Sequence, residues 1–165
     1  MNGHRVLAVD PGRGSLGVAV FEDALLRYYA IKTLRVPGTA ADVRRAAARV
    51  LSDLITAYRP TQIVIEQPLV VQQRAELLAH VISALKTTAK QQGLFVSEYS
   101  PMTVRRFICK GAKPTKREVA QRLVSRYPEL ARYISPQFRW AAPYYEKMFG
   151  AVAIGLLAYA KLGQP

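Results

Sequence analysis

The segment from residue 6 to residue 21, VLAVDPGRGSLGVAVF, constrains the fold of this chain most. An apolar run ends in the carboxylate of Asp10, a glycine-rich turn follows, and a second apolar run begins at Leu16. Short apolar runs bounded by glycine and proline are typical of buried strands. A carboxylate at the end of a buried strand is costly unless something compensates its charge. Asp10 therefore either caps its own turn or belongs to a binding site.

The charge balance indicates a polyanionic partner. Lysine and arginine total 24 against 11 acidic residues, a formal net charge of +13. Residues 101–165 hold 12 basic and 3 acidic residues, a balance of +9, whereas residues 1–100 hold 12 and 8, a balance of +4. Such an excess favours nucleic acid, although a solvated basic surface would give the same count. An anionic lipid surface is a weaker alternative, because no basic amphipathic helix with an aromatic face is found.

The cysteine count and the apolar runs exclude other classes of protein. The single cysteine, Cys109, excludes a disulfide framework and a thiolate zinc site within one chain. The chain shows no signal-peptide pattern, and its apolar runs are too short for a membrane span. We therefore expect one domain over residues 1–165, located in the cytoplasm and without membrane association.

The order of apolar periodicities predicts a sheet flanked by helices. The predicted strands cover 5–10, 16–22, 25–34, 62–66 and 94–99. The first three are joined by short turns and form an antiparallel meander, whereas a strand that follows a helix is typically parallel to its neighbour. The helical spacing predicts helices over 40–58, 71–92, 115–127 and 143–162, a short helical turn over 101–109, and an irregular aromatic segment over 129–142.

A second carboxylate, Glu66, ends the fourth predicted strand. If this strand lies parallel to the first, Asp10 and Glu66 project from neighbouring strand ends. Carboxylate oxygens gathered in this way are the ligands that Mg²⁺ and Mn²⁺ prefer. The sequence therefore predicts an oxygen-lined metal site at the carboxyl edge of the sheet.

A third carboxylate is sought among the remaining acids. Glu146 begins the last helix, with Gly150 one turn later on the same face, where we expect space for a metal or substrate. The alternative for Glu146 is simple compensation of the helix dipole. Glu98, at the end of the fifth strand, is also conceivable.

Two further segments suit a nucleic-acid partner. The loop over residues 110–119, KGAKPTKREV, combines three lysines with a helix that begins after Thr115, which favours phosphate binding. A charged surface loop is the alternative. The aromatic residues of 129–142, interleaved with Arg132 and Arg139, could stack on unpaired bases, form a lid or pack locally.

Together these features resemble the ribonuclease H-like nuclease superfamily, and within it the RuvC-type Holliday junction resolvases. The resemblance rests on Val9-Asp10-Pro11-Gly12 with Gly17, on Ile65-Glu66-Gln67, on the loop over 111–119 and on Gly150-Ala151-Val152-Ala153-Ile154. It implies an α/β fold with a five-stranded mixed sheet, three antiparallel strands followed by two parallel ones, flanked by helices.

This chain departs from the family pattern at three places. The family has an aspartate where this chain has Gly150, and its other C-terminal ligand usually falls at Lys147, one position after Glu146. An aromatic residue that the family often places soon after the second acid is absent from Pro68-Leu69-Val70.

The resemblance implies a homodimeric endonuclease, dependent on Mg²⁺ or Mn²⁺, that resolves four-way DNA junctions, with the 71–92 helix as a candidate interface. Asp10 would bridge two ions about 3.5–4 Å apart, and Glu66 and Glu146 would hold one ion each. Lys116 would neutralise the scissile phosphate. The residues expected to contact the DNA backbone are Arg13, Arg105, Arg106, Lys110, Lys113, Lys116, Arg117 and Arg139.

Other functions remain open on the sequence alone. A related nuclease could act on other branched DNA or on structured RNA, and a nucleic-acid-binding module without activity is favoured by the missing aspartate at Gly150. The phosphate loop of actin-like ATPases also begins with Asp-x-Gly, but that fold needs a second such loop and roughly twice this length.

Overall fold

A five-stranded sheet in the order β3-β2-β1-β4-β5 forms the centre of the computed structural model, which describes residues 3–34, 38–67, 75–135, 140–141 and 143–162. The strands are β1 (Arg5–Pro11), β2 (Ser15–Glu22), β3 (Leu25–Thr33), β4 (Gln62–Glu66) and β5 (Phe95–Tyr99). The first three strands pair antiparallel, whereas β4 is parallel to β1 and β5 is parallel to β4. The predicted mixed sheet is confirmed.

Among the residues described, five α-helices cover the two faces of this sheet: α1 (Ala40–Tyr58), α2 (Ala75–Gln91), α3 (Pro101–Cys109), α4 (Lys116–Arg126) and α5 (Glu146–Leu162). Capping boxes explain where two of them begin. Thr39 and Asp42 satisfy each other's backbone N–H groups at the start of α1, and Thr115 and Glu118 do the same for α4. None of the described helices is long and apolar enough to cross a membrane.

Alternating residues of β1 belong to two separate cores. Leu7 and Val9 pack with apolar residues of α1 and α2, whereas Val6 and Ala8 pack with residues of α3, α4 and α5. β1 is therefore covered on both faces, which explains why its sequence is a continuous apolar run.

Helix α5 begins in close contact with the backbone of β2. A Cβ atom added to Gly17 would lie 1.8 Å from the carbonyl oxygen of Lys147, so only glycine permits this approach. Gly17 is the antiparallel register partner of Asp10. The first turn of α5 is thus placed beside the end of β1.

Three predicted segments are refined, two of them by a correction. The short helical turn predicted over 101–109 is a helix of nine residues with the same bounds. The segment 129–142, predicted to be irregular, has regular structure where it is described: a 3-10 helix covers Pro128–Tyr133, and β6 (Ile134–Ser135) pairs with β7 (Trp140–Ala141). The final α-helix begins at Glu146 rather than at 143, after a 3-10 turn over Pro143–Tyr145.

Packing explains why the 129–142 segment is ordered where it is described. Leu130 is fully buried, and the Tyr133 ring packs edge-on against Tyr29, with ring centroids 5.9 Å apart. Tyr133 therefore packs locally rather than offering a free face for base stacking. Phe138 and Arg139 lie outside the described residues, as do Pro68-Leu69-Val70 and the first four residues, 71–74, of the predicted second helix.

Candidate active site

Asp10 and Glu66 lie at the ends of adjacent parallel strands. Val9 of β1 pairs in register with Ile65 of β4, so the two carboxylates come from equivalent positions of neighbouring strands. Asp10 is 5% exposed, and Glu66 is partly buried. Both side chains line one pocket at the carboxyl edge of β1 and β4.

Helix α5 closes around Asp10. The Nζ of Lys147 donates a hydrogen bond to Oδ1 of Asp10 at 3.0 Å. On the other side, a Cβ atom added to Gly150 would lie 1.9 Å from Oδ2. The space that a side chain at position 150 would occupy is therefore filled by the Asp10 carboxylate, while Gly150 itself lines the pocket beside Glu146.

Burial governs the ionisation of this pair. Burial raises the pKa of Asp10 from 3.8 to about 6, although the Lys147 ammonium opposes the rise. Burial, followed by the negative charge of Asp10, raises the pKa of Glu66 from 4.5 to about 8. Burial alone would lower the pKa of Lys147, but Asp10, Glu66 and Glu146 hold it above its ordinary value. Two buried carboxylates thus share one ammonium, which favours an additional cation.

Glu146 and Lys116 form an ion pair at the open side of the pocket. Lys116 is the first residue of α4 and Glu146 is the first residue of α5, and the lysine Nζ donates to Oε1 of Glu146. Their side chains are 57% and 37% exposed, respectively. Glu146 therefore contacts a lysine rather than completing a group with Asp10 and Glu66. Within the described ranges, no three His, Cys, Asp or Glu side chains form a cluster that could hold a metal ion.

The pocket is more cationic than anionic. Four of its lining residues are basic (Arg105, Lys116, Arg117 and Lys147), and three are acidic (Asp10, Glu66 and Glu146). Its remaining lining includes apolar side chains of α3, α4 and α5, such as Val104, Val119 and Phe149. A site with this balance suits a phosphate group, particularly once a divalent ion is bound to the carboxylates.

The other expected DNA contacts lie outside this pocket. Arg13, Arg106, Lys110 and Lys113 are all exposed. Arg106 donates a hydrogen bond from Nε to the carbonyl oxygen of Ala112 at 3.4 Å, and Lys110 ends α3 in the left-handed backbone region. Arg139 lies outside the described residues. Glu98, the alternative third carboxylate, pairs with Lys86 and is not part of the pocket lining.

Lys147 is the site residue that the sequence analysis did not assign. Its ammonium contacts Asp10 across 137 positions of sequence. The signal was present, because a lysine three positions before Gly150 lies on the same helix face. Only the contact between α5 and Gly17 shows that this face meets the Asp10 carboxylate.

The donor chemistry fits one divalent ion. Asp10 and Glu66 offer hard carboxylate oxygens at adjoining strand ends, and burial raises the pKa of both although the Lys147 ammonium opposes the rise. A second ion would need a further carboxylate, and Glu146 is engaged by Lys116.

We expect the Glu66→Gln substitution to stabilise the metal-free protein at high pH. In the folded state the carboxyl of Glu66 retains its proton between pH 4.5 and about 8, whereas the unfolded chain loses it, so the contribution of Glu66 to stability falls as pH rises through this range. In thermal unfolding with chelator present, the Glu66→Gln variant should have a higher Tm than the wild type at pH 8 and the same Tm at pH 4.5. Each kcal/mol of added stability should raise the Tm by about 2–4 °C.

The Glu98→Gln variant is the matched control, because Glu98 lies on the neighbouring strand but outside the pocket. It should keep the pH dependence of the wild type. An equal Tm difference for Glu66→Gln at both pH values would contradict the burial of the Glu66 charge.

Comparisons with known proteins agree with this architecture. The RuvC proteins of Halorhodospira halophila and Akkermansia muciniphila, both described as crossover junction endodeoxyribonucleases, are 31% and 30% identical to this chain over 120 and 122 residues. The matches cover 70% of this chain in each case, and 72% and 73% of those proteins.

Solved structures share the fold. Thermus thermophilus RuvC in complex with a Holliday junction substrate superposes with a TM-score of 0.76 at 20% identity, covering 97% of this chain and 96% of that one. The yeast mitochondrial Holliday junction resolvase Ydc2 gives a TM-score of 0.71 at 13% identity, covering 96% and 80%. A family profile described as crossover junction endodeoxyribonuclease RuvC matches residues 6–140. The chain therefore belongs to the RuvC family of crossover junction endodeoxyribonucleases.

Proposed function

We propose that this chain is a divalent-metal-dependent endonuclease that cleaves four-way DNA junctions. The observation that carries the proposal is the buried pair of Asp10 and Glu66 in a pocket lined by the basic residues Arg105, Lys116 and Arg117. Family membership supports the same activity, and the T. thermophilus relative of this fold was solved with a Holliday junction substrate.

Asp10 and Glu66 would hold the divalent ion, with Mg²⁺ or Mn²⁺ the best match to carboxylate oxygens. When bound, the ion supplies Lewis-acid polarisation of the phosphate and lowers the pKa of a water molecule. The two ions expected from the family resemblance would need Glu146 as a third carboxylate, and Glu146 would then have to release Lys116.

The basic side chains of the pocket act on the phosphodiester. Lys116 is half-exposed at the start of α4, so its ammonium can turn from Glu146 toward a phosphate oxygen. Arg105 and Arg117 add positive charge on α3 and α4. In the hydrolysis, water oxygen bonds to phosphorus as the bond to the 3′-oxygen breaks, and the leaving oxygen takes up a proton. Lys116 stabilises the negative charge that develops on the phosphate.

Exposed basic residues outside the pocket would position the DNA backbone. Arg13 lies in the turn before β2, and Arg106, Lys110 and Lys113 lie on and after α3. Contacts from such residues depend on salt and carry little sequence information. A homodimer would present two such sites to opposite strands of a junction, with α2 as the proposed interface. The half-buried α2 residues Leu78 and Ile82 support this assignment.

We expect Asp10→Asn to lose junction cleavage. The neutral amide cannot replace the carboxylate as a metal ligand. Mutating a residue that only hydrogen-bonds to a metal ligand commonly lowers activity by about 10–100-fold, so loss of the ligand itself should lower cleavage by at least about 100-fold. The assay compares a labelled four-way junction, a fork and a duplex, with Mg²⁺, with Mn²⁺ and with chelator.

Asp53→Asn is the matched control, because Asp53 is exposed on α1, far from the site in the fold, and its loss should leave cleavage unchanged. Junction binding without cleavage by the wild-type protein in either metal would overturn the proposed nuclease. That result would favour the second candidate function, a junction-binding protein without nuclease activity. The hydrogen bond from Lys147 to Asp10 is the observation that favours this candidate.

We expect Glu146→Gln to reduce cleavage at least about tenfold while junction binding persists, because the carboxylate either holds an ion or holds Lys116 at the pocket. Glu129→Gln removes the same charge from an exposed position and should have no effect. Full activity of Glu146→Gln would remove Glu146 from the site. If Glu146 acts only through Lys116, the double variant with Lys116→Met will cleave no more slowly than Lys116→Met alone.

A further inference from the structure

The Asp10 carboxylate is paired with a positively charged side chain of the same protein, the Lys147 ammonium. Lys147 Nζ lies 3.0 Å from Oδ1, with the Asp10 side chain only 8% exposed and the Lys147 side chain 36% exposed. We propose that the Lys147 ammonium takes the place of a second divalent ion, so that each chain binds one divalent ion. The proposal rests on the proposed function, since it concerns the metal site of the nuclease.

The backbone of Lys147 is fixed by the fold. Its carbonyl carbon and oxygen occupy the space where Gly17 lacks a side chain, so the first turn of α5 packs directly against the backbone of β2. Its Cε lies 3.6 Å from the position that a Cβ of Gly12 would take. The lysine stem therefore follows the glycine turn between β1 and β2 and ends at Asp10.

The contacts of Asp10 leave room for one ion rather than two. The ammonium uses a lone pair of Oδ1. Oδ2 lies so close to the backbone of Gly150 that a Cβ atom at this residue would be only 1.9 Å from it. The ammonium leaves a further lone pair on Oδ1, but a second divalent ion bound there would lie directly beside a positive charge. A divalent ion placed at the ammonium position would displace Lys147 or be repelled by it.

The number of carboxylates available as ligands also indicates one divalent ion rather than two. Asp10 and Glu66 are the two acids at the strand ends, and Glu146 is held by Lys116. Gly150 offers no side chain at the position next to Oδ2. In the part of the chain that the structure describes, no cluster of three acidic, histidine or cysteine ligands is found. One ion together with one ammonium therefore matches the donors that are present.

The test is a calorimetric titration of the full chain with Mn²⁺ in the absence of DNA, which reads stoichiometry and affinity rather than activity. The wild-type protein should bind one ion per chain. Lys147→Met should still bind one ion, at least about tenfold more tightly, because a like charge beside the site is removed. Lys147→Asp adds a carboxylate beside Asp10 and should bind two ions.

Lys161→Met is the matched control, because Lys161 is exposed at the opposite end of the same helix and should leave the titration unchanged. Two ions bound by the wild type, or equal affinities of the wild type and Lys147→Met, would overturn the role of Lys147 and leave the proposed nuclease intact. No binding by either protein would overturn the proposed metal site itself. If Lys147→Asp does not fold, the comparison with Lys147→Met decides alone.

Discussion

The burial of the Asp10 carboxylate is the constraint on which the site depends. β1 is covered on both faces, so its final carboxylate has little access to water and needs a compensating charge. The compensation comes from α5, whose first turn lies against β2 at Gly17 and brings the Lys147 ammonium to Asp10. One packing contact between a helix and a glycine therefore determines both the fold near the site and its electrostatics.

In the proposed nuclease, the cations of the pocket would have different tasks because they differ in exposure and partners. Lys147 is partly buried and bound to Asp10, so it belongs to the permanent framework of the site. Lys116 is more exposed and pairs with a partly exposed glutamate, so it can exchange that partner for a phosphate. An exposed ion pair of this kind contributes little stability, so breaking it would cost little if a substrate phosphate took the place of Glu146.

Local rules predicted much of the fold and half of the site. Strand-end carboxylates can be located from apolar runs, and this placed Asp10 and Glu66 at one edge of the sheet. Helix caps at Thr39 and Thr115 follow from residue chemistry alone. The role of Lys147 could not be predicted in this way, since it depends on how closely α5 approaches β2. The family pattern marked positions 147 and 150 as unusual, but only the fold shows that the Asp10 carboxylate fills the space at Gly150.

The match to the family profile ends at residue 140, before the helix that carries Glu146, Lys147 and Gly150. The strand-end carboxylates thus lie within the part of the chain that the profile matches, whereas the departures at Lys147 and Gly150 lie beyond it. The most direct test of a divalent site at Asp10 and Glu66 is anomalous diffraction from crystals of the protein soaked in Mn²⁺. We predict one anomalous peak within coordination distance of both carboxylates, with Lys147 still bonded to Asp10. The absence of any peak at these two residues would contradict the metal site on which the proposed nuclease rests.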